Sequence, residues 1–383
     1  DVGPREACLF GGRARRGPRG EILLEDALRR VPTDLRDESL ADGELVVVHA
    51  TPGQGELLGC ALRERAPGHA GVDVRRFAEG GVGAQLWKRH AALRAIRSYF
   101  DAQGFCEVQT PSILPCPGLD THLDAFEVPT GAGPSAYLST SPEYQMKRLL
   151  VGGMPRIYQI CAAFRRDERG RHHDREFTML EWYRAFAAVE RVMADTEEVV
   201  CAVFEAVESS AFQLQRPFPR LTVAQAFADH AGVDEAAMLA WASHDQERFF
   251  RILVEQVEPA LAASPRPVML HRYPLPMASL ARACPDDQRY AERFELYLGG
   301  VELCNGFGEL CDAAEQRARF AADQQERRQL GKPVPPLDET FLGALASGMP
   351  RASGNALGVD RLLMLATGAR DLGEVVAFPS DML

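Results

Sequence analysis

The sequence FRRDERGRHHDREFTMLEWY, at residues 164–183, contains the most charged stretch of the chain and runs directly into a strand-like pattern. An apolar run at 157–161 precedes it, so the order predicts a strand, a charged loop and a second strand. Arg165 would then stand at the end of the first strand. Its planar guanidinium, together with the other donors of the loop, suits the oxygens of a triphosphate. The pattern by itself equally allows a solvated hairpin loop.

Three glutamates recur at seven-residue intervals in an apolar segment nearer the C-terminus. They are Glu295, Glu302 and Glu309, and residues 305–307 read Asn-Gly-Phe. Carboxylates this frequent in an apolar segment form either a solvated face or a site for Mg²⁺ and ammonium groups. Because Mg²⁺ usually takes one or two protein carboxylates together with substrate phosphates, this supply of acids matches its needs.

Two other segments precede helical patterns. Residues 353–361 are rich in glycine and end at Arg361, which we expect in the first helical turn, close to a ligand. A purely structural turn is the simpler interpretation of that segment. Residues 141–148 begin Ser-Pro-Glu, which is typical of a capped helix start. This explains their spacing, and only the other motifs would make Glu143 a ligand.

The composition describes a globular protein of two or three domains, since 383 residues carry 46% hydrophobic and 25% charged side chains. Lys+Arg number 43 against 54 Asp+Glu, and the net charge of −11 disfavours general nucleic-acid binding. No apolar run approaches the roughly 20 residues that span a bilayer. The nine cysteines are scattered without C-x-x-C spacing, which favours reduced thiols in a cytoplasmic protein over a disulfide scaffold or zinc site.

The pattern along the chain predicts two domains. Residues 1–75 read as short strands of a small β-rich, OB-like domain, 76–84 as a linker and 85–383 as a catalytic domain. The catalytic domain opens with helical periodicity that ends before Gly104. Strands and helices then alternate, which predicts an α+β fold. The expected strands are 105–110, 157–161, 178–182 and 294–298, and the expected helices are 189–207 and 313–329.

In this order the segments resemble the signature motifs of class II aminoacyl-tRNA synthetases, in the lysyl branch. Motif 1 corresponds to residues 104–111, motif 2 to 164–181 and motif 3 to 354–361. Within that branch the chain is most similar to the elongation factor P–(R)-β-lysine ligase family, which is a truncated relative of lysyl-tRNA synthetase. The segments that carry this second resemblance are 141–150, 176–184 and 348–350.

The resemblance implies an antiparallel sheet flanked by helices and a homodimer built on motif 1. It implies a two-step reaction, in which ATP with Mg²⁺ adenylates β-lysine and the acyl group passes to a lysine ε-amine of elongation factor P. One alternative is a lysyl-tRNA synthetase that charges tRNA. Another is an inactive regulatory paralogue, against which the presence of Arg165, Glu302, Glu309 and Arg361 argues.

The resemblance also implies roles for single residues. Arg165 would hold the α-phosphate and Arg361 the distal phosphates or adenine, so that cationic clamping dominates catalysis. Mg²⁺ would lie on Glu295 and Glu302. The other ATP-binding positions are Asp167, His173, Asp174, Phe177, Leu303 and Gly358. The amino-acid pocket, where carboxylates partner the ammonium groups, comprises Ser141, Glu143, Glu181, Tyr183, Asn305, Glu309 and Ala356.

Several positions distinguish the chain within this branch. Ala356 stands where lysyl-tRNA synthetases usually carry Gly, and its methyl group narrows the pocket in favour of β-lysine. Asp167 is one methylene shorter than the usual Glu, Asp174 and Arg175 replace Asn-Pro, and Gly308 replaces a polar residue.

The N-terminal domain is the largest departure, because the ligase family normally begins near residue 85. An anticodon-binding remnant would favour tRNA charging. Such domains stack aromatic side chains on bases, but Phe10 is the only aromatic residue before Phe77. We therefore expect a protein-docking or stabilising domain.

Overall fold

The structure is a computed structural model that describes residues 7–26, 28–68, 71–121, 123–131 and 133–383. The chain divides into two compact units, Asp1–Arg89 with Glu374–Ala377 and His90–Gly373 with Phe378–Leu383. All nine cysteines lie within the described residues and none forms a disulfide there, as predicted. Across the same residues, no helix has the length and apolar character needed to cross a membrane.

The first unit contains a closed barrel of five strands. Its strands close in the order β1-β2-β3-β5-β4, with β4 returning to pair with β1. Only the contact between β3 and β5 is parallel, and this five-stranded arrangement is that of a small OB-like barrel. The strands are β1 (Cys8–Arg16), β2 (Ile22–Glu25), β3 (Arg30–Thr33), β4 (Leu45–Pro52) and β5 (Leu57–Ala66).

Strand β1 has a weak strand signal in the sequence, because two glycines and three arginines interrupt its apolar alternation. The strand forms because its neighbours supply the pairing. It bonds to β2 along one edge and to β4 along the other. The barrel core is apolar and includes Leu24, Val46, Val48 and Leu57.

Helical segments follow the barrel in the sequence. They are α1 (Val72–Val74), one π-helical turn (Arg75–Glu79) and α2 (Val82–Ala102). Residues 76–84, predicted as a linker, thus hold helical backbone that breaks at Gly80 and Gly81, where Gly81 has φ +78°. At the far end of α2, Gly104 adopts φ +70° and ends the helix as expected.

The second unit is built on a mainly antiparallel sheet of eight strands, which confirms the α+β prediction. Its order is β12-β13-β14-β15-β16-β11-β10-β6, and a separate small sheet has the order β7-β9-β8. The strands are β6 (Cys106–Glu107), β7 (Ile113–Leu114), β8 (Glu127–Val128), β9 (Ala136–Leu138), β10 (Arg156–Phe164), β11 (Glu176–Ala185), β12 (Arg220–Thr222), β13 (Val268–Pro274), β14 (Tyr290–Leu298), β15 (Val301–Gly308) and β16 (Ala352–Gly358).

Helices surround this sheet, and α4 and α11 pack directly on its central strands. The predicted helices 189–207 and 313–329 correspond to α4 and α9. The helices of the second unit are α3 (Glu143–Val151), α4 (Val189–Ala206), α5 (Val223–Ala231), α6 (Glu235–His244), α7 (Gln246–Ile252), α8 (Glu258–Ala262), α9 (Ala313–Gln329), α10 (Glu339–Ala346) and α11 (Val359–Thr367).

Two local predictions were wrong. The expected strand at 105–110 forms only at Cys106–Glu107, at the edge of the sheet. The glycine-rich segment expected to be a turn is instead β16, a central strand between β15 and β11. Its glycines serve close packing, because a Cβ atom at Gly354 would overlap the ring of Tyr183 on the paired strand.

We expect the variant Gly354→Ala to lower the free energy of unfolding by about 1–3 kcal/mol, the usual cost of overpacking a core. The matched control is Gly343→Ala in α10, where an added Cβ meets no atom within 4 Å. A helix-interior alanine there should be neutral or stabilising. Urea unfolding measures the free energy of unfolding of both variants. An equal change in that free energy for Gly354→Ala and Gly343→Ala would contradict close packing at β16.

Candidate active site

A cavity of about 700 Å³ opens beside the central strands of the eight-stranded sheet. Strands β11, β15 and β16, the start of α3 and the loop between β10 and β11 all contribute to its wall. The motifs that lie far apart in the sequence therefore meet in one place. The predicted site residues on its wall are Ser141, Glu143, Arg165, His173, Asp174, Phe177, Glu295, Glu302, Leu303, Asn305, Ala356, Gly358 and Arg361.

The charged loop connects β10 to β11 as a hairpin, as predicted, and puts Arg165 directly after Phe164, the last residue of β10. The Arg165 guanidinium lies 5.0 Å from the centre of the Phe177 ring. It also pairs with Glu168 at 3.0 Å. A cation and an aromatic face are thus adjacent on the cavity wall.

Arg361 lies in the first turn of α11, as predicted. Its Nε donates to the carbonyl of His172 and its Nη1 to the carbonyl of Glu302, each at 3.0 Å. These contacts fix the guanidinium between the charged loop and β15. Burial, together with the charge of Arg361, lowers the pKa of His173 below its ordinary value, which favours the neutral imidazole near neutral pH.

Two loop acids differ in where they point. Asp174 lines the cavity and accepts hydrogen bonds from the Ser380 backbone and hydroxyl, which tie the loop to the C-terminal segment. Asp167 is not on the cavity wall. Its carboxylate is 63% exposed and pairs with Arg166 at 3.0 Å. Glu168 takes a position on the wall instead.

Two buried carboxylates, Glu181 and Glu309, lie behind the part of the cavity wall that Ser141 and Glu143 form. Glu181 accepts hydrogen bonds from the Ser141 hydroxyl at 2.7 Å and from the Tyr183 hydroxyl at 2.6 Å. Glu181 and Tyr183 share a face of β11 because residues two apart point the same way. Burial, reinforced by the charge of Glu143, raises the pKa of Glu181 to about 8. Burial also raises the pKa of Glu309 to about 7.

Lys147 was not predicted from the sequence as a site residue. Its side chain is 0% exposed. Its ammonium lies 2.6 Å from a carboxylate oxygen of Glu143 and 2.6 Å from one of Glu309. The spacing of four residues from Glu143 on α3 is the signal that could have revealed it.

Asn305 and Ala356 face each other across β15 and β16. Both line the cavity. The side-chain oxygen of Asn305 is buried and accepts no hydrogen bond in the described structure. Because buried polar atoms nearly always have partners, this oxygen is a candidate contact for a ligand donor.

Glu302 presents a carboxylate to the cavity that accepts no hydrogen bond from any described residue. Burial and the charge of Glu295 raise its pKa to about 7. The Glu295 carboxylate accepts from Tyr273, Arg293 and Tyr297. Among the described residues no cluster of three or more potential metal ligands exists. Glu302 has a carboxylate that could hold Mg²⁺, and substrate phosphates and water would complete the coordination shell of the ion. The Glu295 carboxylate is already engaged by its three partners.

Comparisons with known proteins identify the family. The family of class II tRNA synthetases (D, K and N) matches residues 74–382. A protein of Erwinia tasmaniensis named elongation factor P–(R)-β-lysine ligase is 42% identical over 311 residues, covering 78% of this chain and 95% of the relative. Proteins of the same name from Edwardsiella ictaluri and Klebsiella pneumoniae are 43% and 42% identical, covering 78% and 77% of this chain and 95% of each relative.

The chain belongs to the class II tRNA synthetase family, among the elongation factor P–(R)-β-lysine ligases. The sequence resemblance is thereby confirmed. The class II match begins at residue 74, after the last barrel strand at Ala66. The match therefore leaves out the barrel strands and covers most of the helical segments that follow them, together with the second unit up to residue 382.

The buried acids of this class II site make stability depend on pH. Because folding raises the pKa of Glu181 to about 8, the folded state keeps a proton that the unfolded state has lost. Wild-type stability should therefore fall from about pH 5.5 to about pH 8.5.

The Glu181→Gln variant lacks this proton linkage. Its free energy of unfolding, relative to wild type, should rise over that interval by an amount on the order of a few kcal/mol. Urea unfolding at the two pH values measures the change. Glu247→Gln, at an exposed position of α7, is the control, and identical pH profiles for wild type and Glu181→Gln would contradict the argument.

Proposed function

We propose that the chain is an ATP-dependent ligase that adenylates (R)-β-lysine and transfers it to a lysine ε-amine of elongation factor P. The observation that carries the proposal is one cavity with two unlike ends. Arg165 and Arg361 supply cations for a polyphosphate at one end, and buried carboxylates lie behind the other. The names of the relatives supply the amino acid and the acceptor.

In the first step, a carboxylate oxygen of β-lysine attacks the α-phosphorus of ATP, and the bond to pyrophosphate breaks. Two anions meet and negative charge develops at the α-phosphate, so positioned cations give the main stabilisation. We assign Arg165 to the α-phosphate and Arg361 to the departing phosphates. Phe177, beneath Arg165, offers its ring to adenine.

Mg²⁺ would neutralise phosphate charge when bound to Glu302, with Glu295 beside it. The open carboxylate of Glu302 supports this role. Asp167 points away from the cavity, so we assign it no contact with adenine.

The amino-acid end of the cavity suits a molecule with two ammonium groups. Glu143 lines it, while Glu181 and Glu309 lie buried behind it with their hydroxyl and ammonium partners. A buried ammonium needs such partners. The Ala356 methyl shapes the same wall, and the unpartnered oxygen of Asn305 can accept an N–H from the substrate.

In the second step, the neutral ε-amine of the acceptor lysine attacks the acyl carbon, and AMP leaves. A free lysine amine has a pKa of about 10.4, so the acceptor must lose a proton on binding. The leaving phosphate or a cavity carboxylate accepts it.

We place this enzyme in the cytoplasm as a homodimer. Reduced cysteines agree with that compartment. The motif 1 strand β6 lies at the edge of the eight-stranded sheet and both of its residues are exposed. An exposed edge strand supports a subunit contact there.

The acceptor is tested by offering purified protein, Mg²⁺-ATP and either α- or β-lysine to elongation factor P and lysine tRNA in parallel. We expect intact mass to show one β-lysyl addition on the factor, with uncharged tRNA on acid gels. Charged tRNA would instead make the enzyme a synthetase and the OB-like barrel an anticodon reader. The absence of both products would favour an inactive paralogue.

The Arg361→Ala variant should slow β-lysine-dependent pyrophosphate exchange at least about 100-fold, because a cation at the phosphates is lost. Arg251→Ala, at an exposed position of α7 that is not on the cavity wall, should exchange at the wild-type rate. Normal exchange by Arg361→Ala would overturn the role given to this residue.

A further inference from the structure

Lys147 is a cation held entirely inside the protein, on the side of α3 that faces the amino-acid pocket. It bridges Glu143 and Glu309 at 2.6 Å each and is 0% exposed. Burial opposes its charge, but the two carboxylates raise its pKa above the ordinary value. The ammonium is therefore charged at every pH at which the enzyme works.

The charges around the pocket can be counted. Glu143, Glu181 and Glu309 carry three negative charges when ionised, and Lys147 carries one positive charge. The remaining two negative charges equal the charge of two ammonium groups. Arg282, near Glu309, pairs with Glu292, which also lies 3.6 Å from the exposed Arg351. Tyr183, Cys161 and Cys311 are neutral titratable neighbours, because burial raises the pKa of each.

Lys147 also fixes the positions of the acids. Glu143 begins α3, whereas Glu309 follows the end of β15. Both carboxylates lie 2.6 Å from the same Lys147 nitrogen. Without this ammonium between them, two like charges so close together would repel or share a proton. With it, each carboxylate keeps a set direction.

We propose that Lys147 is a positioning residue that makes the amino-acid pocket complementary to a diamino acid. It touches no substrate. It holds Glu143 and Glu309 apart and favours their ionised forms, so that, once a bound ammonium group displaces the proton of Glu181, the pocket carries two negative charges that Lys147 does not offset. This inference rests on the proposed function, since it concerns how that site selects its amino acid.

The test compares pyrophosphate-exchange kinetics of wild type with Lys147→Met, which has similar length and no charge. We expect the KM for β-lysine to rise at least about tenfold, while the KM for ATP and kcat change less than about threefold. Lys147→Arg, which restores charge, should recover part of the β-lysine KM. Lys88→Met, outside the cavity, is the matched control. Its KM values for β-lysine and ATP and its kcat should equal those of wild type.

Other results would overturn the inference. An unchanged KM for β-lysine, with only a lower melting temperature, would make Lys147 purely structural. An equal loss for ATP and β-lysine would indicate general distortion and would overturn it too. If Lys147→Met does not fold, Lys147→Gln is measured by the same criteria. Failure of the wild type to exchange with β-lysine would instead contradict the proposed function.

Discussion

The placement of two buried carboxylates and one cavity-lining carboxylate near a buried ammonium is the constraint on which the rest of the site depends. Glu181 and Glu309 are buried and Glu143 lines the cavity beside them, and an unpaired charge is costly in such surroundings. Lys147 and the Ser141 and Tyr183 hydroxyls offset part of that cost. We propose that substrate ammonium groups offset the remainder when they bind.

The sheet makes this arrangement possible. Strand β16 enters between β15 and β11 because Gly354 leaves room for the Tyr183 ring. The same strand carries Ala356 to the cavity and leads into α11, which places Arg361. One short segment therefore connects the amino-acid end of the cavity to its phosphate end, and a change in its packing disturbs both substrates.

Much of this could be predicted from the sequence. The charged hairpin with Arg165, the helical position of Arg361 and the acidic segment of β14 and β15 follow from local patterns, and their order indicates the family. Three features could not be predicted. Strand β16 lacks side chains that favour a strand, the direction of Asp167 depends on Arg166, and Lys147 pairs with Glu309, 162 positions away. Each depends on contacts that form only in three dimensions.

The central claim is that the buried acids receive the ammonium groups of the amino acid. Calorimetric titration with β-lysine at about pH 7, in two buffers of different ionisation enthalpy, counts the protons exchanged on binding. Because burial keeps Glu181 protonated in the free protein, a bound ammonium should displace about one proton into the buffer. Net release of about one proton, lost in Glu181→Gln, is the predicted result. Binding without proton exchange, or with uptake, would contradict the account.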